Sequence, residues 1–169
     1  MNLIKKLSLS GLIFLFFMTA CMAEKEPAQA WWLDFSVKPE STQLDGIDIS
    51  SFRKNWTHAV YLDNSLIKNK VSFKNYTEFK DSNFKLSIIK DFNNNNIDEV
   101  IKVGVFQTKK RKGIFLAIFE SSKLIKVFTD SSNKGFSALL SNNNLHWYKC
   151  MNCGEYESIS WNGKTFVLE

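Results

Sequence analysis

The sequence predicts an α+β fold that is mostly β: an antiparallel β-meander with one N-terminal helix packed on it. Two patterns support this prediction: apolar residues at helical spacing near residue 55, and a series of short apolar runs after residue 70. A third observation is the supply of 15 Phe and 5 Trp, with only 2 Pro, which is enough large apolar side chains for the core of one domain.

The helix is predicted to begin at Ser50 or Ser51, because a serine hydroxyl can accept a hydrogen bond from the first turn. The apolar residues that follow fall on one helical face: Phe52, Trp56, Ala59 and Val60. We expect this helix to end near Asp63.

The strands are predicted from short apolar or alternating runs at 84–88, 100–106, 114–119, 124–129, 136–140, 145–148, 156–161 and 165–168. Polar turn residues separate these runs, and the intervals are too short for crossover helices. The strands are therefore expected to pair as an antiparallel meander. Between the last two, Asn162-Gly163 is typical of a type I′ hairpin turn.

The first 20 residues have the organisation of a secretory signal. Lys5 and Lys6 precede an almost wholly apolar stretch at 7–18, and the small residues Thr19 and Ala20 follow it. The predicted organisation is thus a signal peptide at 1–20, a polar tether at 21–30 and a single globular domain at 31–169.

Cys21 directly follows this stretch, and Met18-Thr19-Ala20-Cys21 resembles the lipobox of bacterial lipoproteins. The resemblance implies that Cys21 is lipidated, becomes the mature N-terminus and anchors the chain in a membrane. Because Met22 rather than Asp follows, it implies an outer-membrane lipoprotein that faces the periplasm. The alternative is ordinary cleavage after Ala23, which gives a periplasmic protein without an anchor.

Either cleavage leaves Cys150 and Cys153 as a pair. Disulfides persist in exported proteins, so the sequence predicts a Cys150–Cys153 disulfide. Losing residues 1–20 removes Lys5 and Lys6 and lowers the formal charge from +5 to +3. This charge and the predicted compartment argue against a nucleic-acid partner. The basic run at 109–112 is either a contact for anionic lipid headgroups or an acidic partner, or a solvated hairpin tip.

The segment 91–99 has oxygen-bearing residues at loop positions 1, 3, 5 and 9. With the carbonyl of the residue at position 7, the candidate ligands are Asp91, Asn93, Asn95, Ile97 and Glu99. Alternating oxygens in a tight loop are typical of calcium sites. The segment resembles one calcium loop of FG-GAP/VCBS-type repeats, with Asn94 and Asn96 in place of glycines. The resemblance implies a weak structural calcium, and the alternative is a loop that keeps the turn and holds no ion.

No common enzyme motif occurs in the sequence, and His58 and His146 both lie beside tryptophans inside predicted elements. We therefore expect a non-catalytic binding or structural module of the cell envelope, attached to the membrane by its lipid and free to bind a protein partner there. One alternative is an inhibitor or immunity protein against a toxin or wall hydrolase. The other is an enzyme of unknown chemistry.

Overall fold

The computed structural model describes residues 30–132, 135–142, 144–151 and 153–169. The predicted signal peptide, Cys21 and all but the last residue of the tether lie outside these ranges. Among the described residues, no helix is both long enough and apolar enough to cross a membrane.

The described residues form few helices and many antiparallel strands. The helices are α1 (Trp31–Asp34), α2 (Asn64–Lys70) and α3 (Phe73–Asp81), with a 3₁₀ helix at Ile49–Ser51. The strands are β1 (Gln43–Leu44), β2 (Ile47–Asp48), β3 (Trp56–Tyr61), β4 (Ser87–Lys90), β5 (Glu99–Thr108), β6 (Lys112–Glu120), β7 (Lys123–Asp130), β8 (Ala138–Ser141), β9 (Leu145–Tyr148), β10 (Tyr156–Trp161) and β11 (Phe166–Leu168).

A five-stranded sheet forms the centre of the protein. Four of its strands follow in the order β3-β5-β6-β7. Along the same edge of β5, β4 pairs with its first half and β3 pairs with its second half. The interior of β6 is an unbroken apolar run, Ile114–Phe119, and all of its side chains are buried. A continuous apolar strand is typical of a sheet that is covered on both faces.

The second sheet is the four-stranded meander β8-β9-β10-β11. A shared core joins it to one face of the large sheet, and α2 and α3 contribute Ile67 and Phe79 to the same core. Fully buried members include Val103 and Leu116 from the large sheet and Trp147 from the small one. The indole Nε1 of Trp147 donates a hydrogen bond to Ser137 Oγ at 2.6 Å, so the buried polar atom is satisfied.

The opposite face of the large sheet carries a second core, built mainly from aromatic rings. Trp56 lies between Phe106, with ring centroids 4.6 Å apart, and Phe52, at 5.9 Å. Stacked aromatic pairs of this kind contribute about 0.5–1.5 kcal/mol beyond their buried area. The segment that contains the 3₁₀ helix is held against the sheet by this stack.

The predicted strands after residue 84 are confirmed, with boundaries within a few residues, and both sheets are antiparallel. The predicted helix that starts at Ser50 or Ser51 is wrong. Those two serines belong to the 3₁₀ helix, and the residues from Trp56 to Tyr61 form β3 instead. Aromatic and β-branched residues dominate this segment, and pairing with β5 overrides the helical spacing of its apolar residues.

Two helices that the sequence analysis did not predict follow directly after β3. The side chain of Asp63 caps α2 by accepting a hydrogen bond from the Leu66 amide at 2.7 Å. Ser72 caps α3 through the Asn75 amide at 3.3 Å. These two capping residues were the available signal for the helices.

The Asn162-Gly163 turn also differs from its prediction. Of the two residues, only Gly163 has a positive φ, at 87°, whereas a type I′ turn needs two. The Asn162 side chain instead accepts hydrogen bonds from the amides of Lys164, at 3.0 Å, and Thr165, at 2.9 Å. Because Trp161 pairs with Phe166, the hairpin loop has four residues.

Candidate functional site

The asparagine-rich loop lies between β4 and β5 and folds around the side chain of Asp91. Its carboxylate accepts hydrogen bonds from the backbone amides of Asn95, at 3.2 Å, and Asn96, at 2.8 Å. Asn94 and Asn96 have positive φ angles of 60° and 67°. Asparagine tolerates this left-handed geometry better than most residues, so it can take the two positions of the loop where the backbone needs a positive φ.

The side-chain oxygens of the odd-numbered asparagines close the remaining turns of the loop. Asn93 Oδ1 accepts from the Asn95 amide at 3.0 Å, and Asn95 Oδ1 accepts from the Ile97 amide at 2.8 Å. Such side chain to backbone bonds mimic backbone turns. The spacing of two residues between oxygen-bearing side chains therefore has a structural role that does not depend on an ion.

Glu99 and Glu120 lie at the base of this loop as direct partners on β5 and β6. Glu99 is fully buried, and it accepts hydrogen bonds from the Phe92 amide, at 2.7 Å, and from Asn93 Nδ2. Glu120 accepts from Asn93 Nδ2 at 3.1 Å and from Asn95 Nδ2 at 2.7 Å. Glu120 was not predicted as a site residue, because it is distant in the sequence and only strand pairing brings it to the loop.

The two glutamates have pKa shifts of opposite direction. Burial raises the pKa of Glu99, and the nearby negative charges of Asp91 and Glu120 add to that increase, while the Phe92 amide partly opposes it. Hydrogen bonds from Asn95 and Asn93 lower the pKa of Glu120. Glu99 therefore takes up a proton at a higher pH than an ordinary glutamate does, and Glu120 takes one up at a lower pH.

The oxygens of this loop are not gathered around one point. Asp91, Glu99 and Glu120 are not among the described residues whose ligand atoms all lie within 4.8 Å of one another. In addition, the amide nitrogens of Asn93 and Asn95, rather than their oxygens, face the two glutamates. Both amides would have to turn before all five predicted ligands faced one ion, and that rearrangement would weaken binding.

Cys150 and Cys153 lie within disulfide distance of each other in the turn between β9 and β10, with their Cα atoms 5.9 Å apart. In the part of the chain that the structure describes, one group of His, Cys, Asp and Glu residues has its ligand atoms within 4.8 Å: Cys150, Cys153 and Glu155. Two sulfurs that are joined in a disulfide cannot act as thiolate ligands for a metal. The predicted disulfide and a metal site at this turn are therefore mutually exclusive.

Four rings form a surface on the small sheet that we call the aromatic strip: Phe84, His146, Tyr148 and Tyr156. Tyr156 lies 4.5 Å from His146 and 5.2 Å from Tyr148, between ring centroids, and Phe84 lies 4.9 Å from Tyr148. Tyr156 is 48% exposed, whereas the neighbouring Trp147 is fully buried. His146 Nδ1 is within hydrogen-bond distance of Ser158 Oγ, at 3.2 Å, which orients its ring.

The basic run at 109–112 forms the turn between β5 and β6 and the first residue of β6, and Lys109, Lys110 and Arg111 are exposed. The run therefore lies at the tip of the β5–β6 hairpin, a position that is compatible with both alternatives given for it.

No family model, no curated protein and no solved structure matches the chain. The resemblances to the lipobox and to the FG-GAP/VCBS loop therefore rest on the residues quoted for them.

Proposed function

We propose that the protein is an exported lipoprotein of the cell envelope, anchored in the outer membrane through Cys21, whose domain at 31–169 is a non-catalytic binding or structural module. The observation that carries this proposal is the proximity of Cys150 and Cys153, whose Cα separation of 5.9 Å suits a disulfide. Such bonds persist in oxidising compartments, outside the bacterial cytoplasm.

Fractionation of cells that express the full chain tests the anchoring. Wild-type protein should sediment with the outer membrane, whereas the variant Cys21→Ala should remain unprocessed or appear as a soluble periplasmic chain. The matched variant Cys150→Ser removes a different cysteine and should still sediment with the membrane. Identical membrane attachment of wild type and Cys21→Ala would contradict anchoring through Cys21.

The aromatic strip supports a binding role and a protein partner within the envelope. Tyrosine is enriched at protein interfaces because it combines a large apolar ring with a hydroxyl and has few rotatable bonds. Here the rings of Tyr148 and Tyr156 pack on each other, and Tyr156 remains half exposed. Their geometry is thus already fixed, which lowers the entropic cost of binding.

A pull-down from envelope extracts tests this role. Tyr156→Ser should weaken capture of the partner, because it removes the most exposed ring of the strip. Ile125→Ser on β7 is the matched control, since it removes another exposed apolar side chain from a different strand. Equal capture by both variants and wild type would exclude the strip as the interface.

The asparagine-rich loop supports a structural role for calcium within the same module. Asp91 lies in the loop, and Glu99 and Glu120 lie at its base, where burial and then the nearby negative charges raise the pKa of Glu99. A cation bound there would offset part of this negative charge. Because amide groups already donate hydrogen bonds to the side-chain oxygens of the loop, calcium would stabilise a loop conformation that is already formed. Thermal unfolding with and without calcium measures this contribution.

A second candidate function is inhibition of a toxin or wall hydrolase, and one observation favours it. Phe73, the first residue of α3, is 84% exposed, which is unusual for a ring of this size. An aromatic side chain that projects into solvent can plug the cleft of a target enzyme. Co-purification with a hydrolase that is lost in Phe73→Ser, but kept in Tyr156→Ser, would favour this function over the first.

A further inference from the structure

A cavity of about 720 Å³ lies between the β5–β6 turn and the segment that leads into β3, and Trp56 of the second core is one of its lining residues. Four cationic side chains line it: Lys54, Lys109, Lys110 and Arg111. We call this cavity the basic pocket. Lys54 is far from the other three in the sequence, and the pairing of Trp56 with Thr108 brings them together.

In the described ranges, the positive charge of the basic pocket is not compensated by ion pairs. None of its lining residues is acidic, and none of the four cations forms an ion pair in those ranges. By contrast, Lys102 Nζ lies 2.8 Å from Asp45, and Lys149 Nζ lies 2.8 Å from Asp130. Four cations without such a partner therefore line one concave site.

Hydrogen bonds fix the shape of the turn that carries three of these cations. Thr108 Oγ1 accepts from the amides of Lys110, at 3.2 Å, and Arg111, at 3.1 Å, and it donates to the Arg111 carbonyl at 3.1 Å. Thr108 itself is 7% exposed, so these bonds are largely shielded from water. The turn is thus held in one geometry before any ligand binds.

The opposite wall is also rigid. Trp56 is 6% exposed and stacks on Phe106, with an angle of 6° between the ring planes. The strand register shifts between Trp56 and His58, and the intervening Thr57 donates a hydrogen bond to the Gln107 carbonyl at 3.1 Å. Such bulges redirect side chains at the end of a sheet, and here the wall beside Lys54 is fixed to β5.

We propose that the basic pocket binds phosphate groups. The guanidinium of Arg111 offers a planar fork that matches two phosphate oxygens, and the lysines add point charges around it. A phosphate monoester carries a charge of about −1.5 to −2, so it compensates several cations, whereas a carboxylate carries only one negative charge. The same monoester is found in the headgroup of phosphatidic acid and in a free phosphate compound. The site does not depend on the proposed export or anchoring.

Titration calorimetry on the full chain in a neutral detergent tests the proposal, with inorganic pyrophosphate as the probe at low salt. Wild type should bind saturably. Lys54→Gln should weaken binding by about tenfold, which is the loss of one charge-assisted hydrogen bond. Lys164→Gln is the matched control, because it removes an exposed lysine from a different hairpin turn. We expect Lys164→Gln to bind like wild type.

Two results would overturn the proposal: no saturable binding to wild type, or an equal loss in Lys54→Gln and Lys164→Gln, which would indicate attraction by net charge alone. The variant Arg111→Lys separates the effect of the guanidinium geometry from the effect of its charge. It keeps the charge but removes the fork, so we expect weaker binding by at least about threefold. Unchanged binding in Arg111→Lys would contradict recognition of phosphate by that fork.

The source of the phosphate is decided by a second titration with short-chain phosphatidic acid, a phosphate monoester, below its micelle concentration, with the uncharged diacylglycerol as its control. Tighter binding of this lipid than of pyrophosphate, with no binding of diacylglycerol, assigns the pocket to lipid headgroups. Tighter binding of pyrophosphate assigns it to a free phosphate compound. Binding of diacylglycerol equal to that of the charged lipid would contradict a phosphate site.

Discussion

Glu99 and Glu120 are direct partners on β5 and β6, yet the pKa of the first is raised and that of the second is lowered. The difference comes from their surroundings, since Glu99 is fully buried whereas Glu120 is partly exposed and receives two asparagine amides. Adjacent carboxylates on paired strands would otherwise repel each other. The asparagine-rich loop supplies the hydrogen bonds that make their proximity tolerable.

The first prediction concerns the pH dependence of stability. The folded pKa of Glu99 lies above its ordinary value of 4.5. The contribution of Glu99 to the free energy of unfolding is therefore complete below pH 4.5, and it is lost as pH rises through the folded pKa. Glu99→Gln removes this loss. The free energy of unfolding of Glu99→Gln relative to wild type should therefore increase between about pH 4 and about pH 8, as measured by urea denaturation.

Glu120→Gln is the matched variant, and its free energy of unfolding relative to wild type should change with pH in the opposite direction. A lowered folded pKa contributes stability above the ordinary value, so replacing Glu120 should make the protein relatively less stable as pH rises. The same direction of change in both variants would refute the assignment of raised and lowered pKa values to the two glutamates.

The second prediction concerns calcium. A tenfold excess of calcium over its dissociation constant adds about 1.4 kcal/mol to the stability of the folded state. For a domain of this size, that corresponds to an increase of about 3–6 °C in Tm relative to protein in EDTA. Glu99→Gln should abolish the increase, and magnesium should produce less of it because it requires stricter geometry. Equal Tm values for wild type in calcium and in EDTA would show that the loop is complete without an ion.

The third prediction concerns an ion-pair cluster between the sheets. Lys149 Nζ lies 2.8 Å from Asp130 at the end of β7 and 3.2 Å from Glu157 on β10. Burial favours a raised pKa for Asp130, but hydrogen bonds from Lys149 and Ser132 outweigh it and hold that pKa below its usual range. Lys149→Met leaves two carboxylates without their cation and should cost about 1–3 kcal/mol.

Urea denaturation near neutral pH measures this cost, and Lys164→Met provides the control because that lysine is exposed on a different turn. The pKa of Asp130 should also rise in Lys149→Met, which carboxyl NMR detects. A loss of stability that is no larger than in the control would show that the cluster contributes nothing to the joining of the two sheets.

The fourth prediction concerns Gly104 in the middle of β5. A Cβ at this position would collide with the Val60 carbonyl oxygen on β3 and with the Phe115 ring on β6. Because a backbone atom cannot move aside without breaking the pairing of β3 with β5, Gly104→Ala should destabilise the protein by about 1–3 kcal/mol. Thermal unfolding measures this, with Thr129→Ala on the exposed side of β7 expected to change stability by less than about 0.5 kcal/mol. Equal Tm values for the two variants would contradict this close approach.

Most of the strands were predictable because their sequence patterns are local. The run Ile114–Phe119 and the turn residues that bound it are sufficient to place β6. The helix predicted near residue 55 failed because Phe52 and Trp56 satisfy helical spacing while they actually stack on each other from a turn and a strand. Pairing with β5 decided that outcome, and the aromatic and β-branched residues of Trp56–Tyr61 were the local signal in favour of a strand.

The candidate sites were predictable only in part for the same reason. The oxygen-bearing residues of the loop lie close together in the sequence, so the sequence alone could name Asp91 and Glu99 as candidate ligands. Glu120 and Lys54 reach their sites through strand pairing, and residues so distant in the sequence carry no local signal of their neighbours. The capping side chains of Asp63 and Ser72 were local signals, and they identify α2 and α3 in hindsight.

Export into an oxidising compartment is the central claim, and the mass of the intact protein tests it most directly. Protein isolated from the outer-membrane fraction of expressing cells should be alkylated without prior reduction and then analysed by mass spectrometry. The account predicts a chain that begins at a lipidated Cys21, with neither Cys150 nor Cys153 alkylated. A chain recovered from the cytosol that still begins at Met1 and carries alkyl groups on both late cysteines would contradict it.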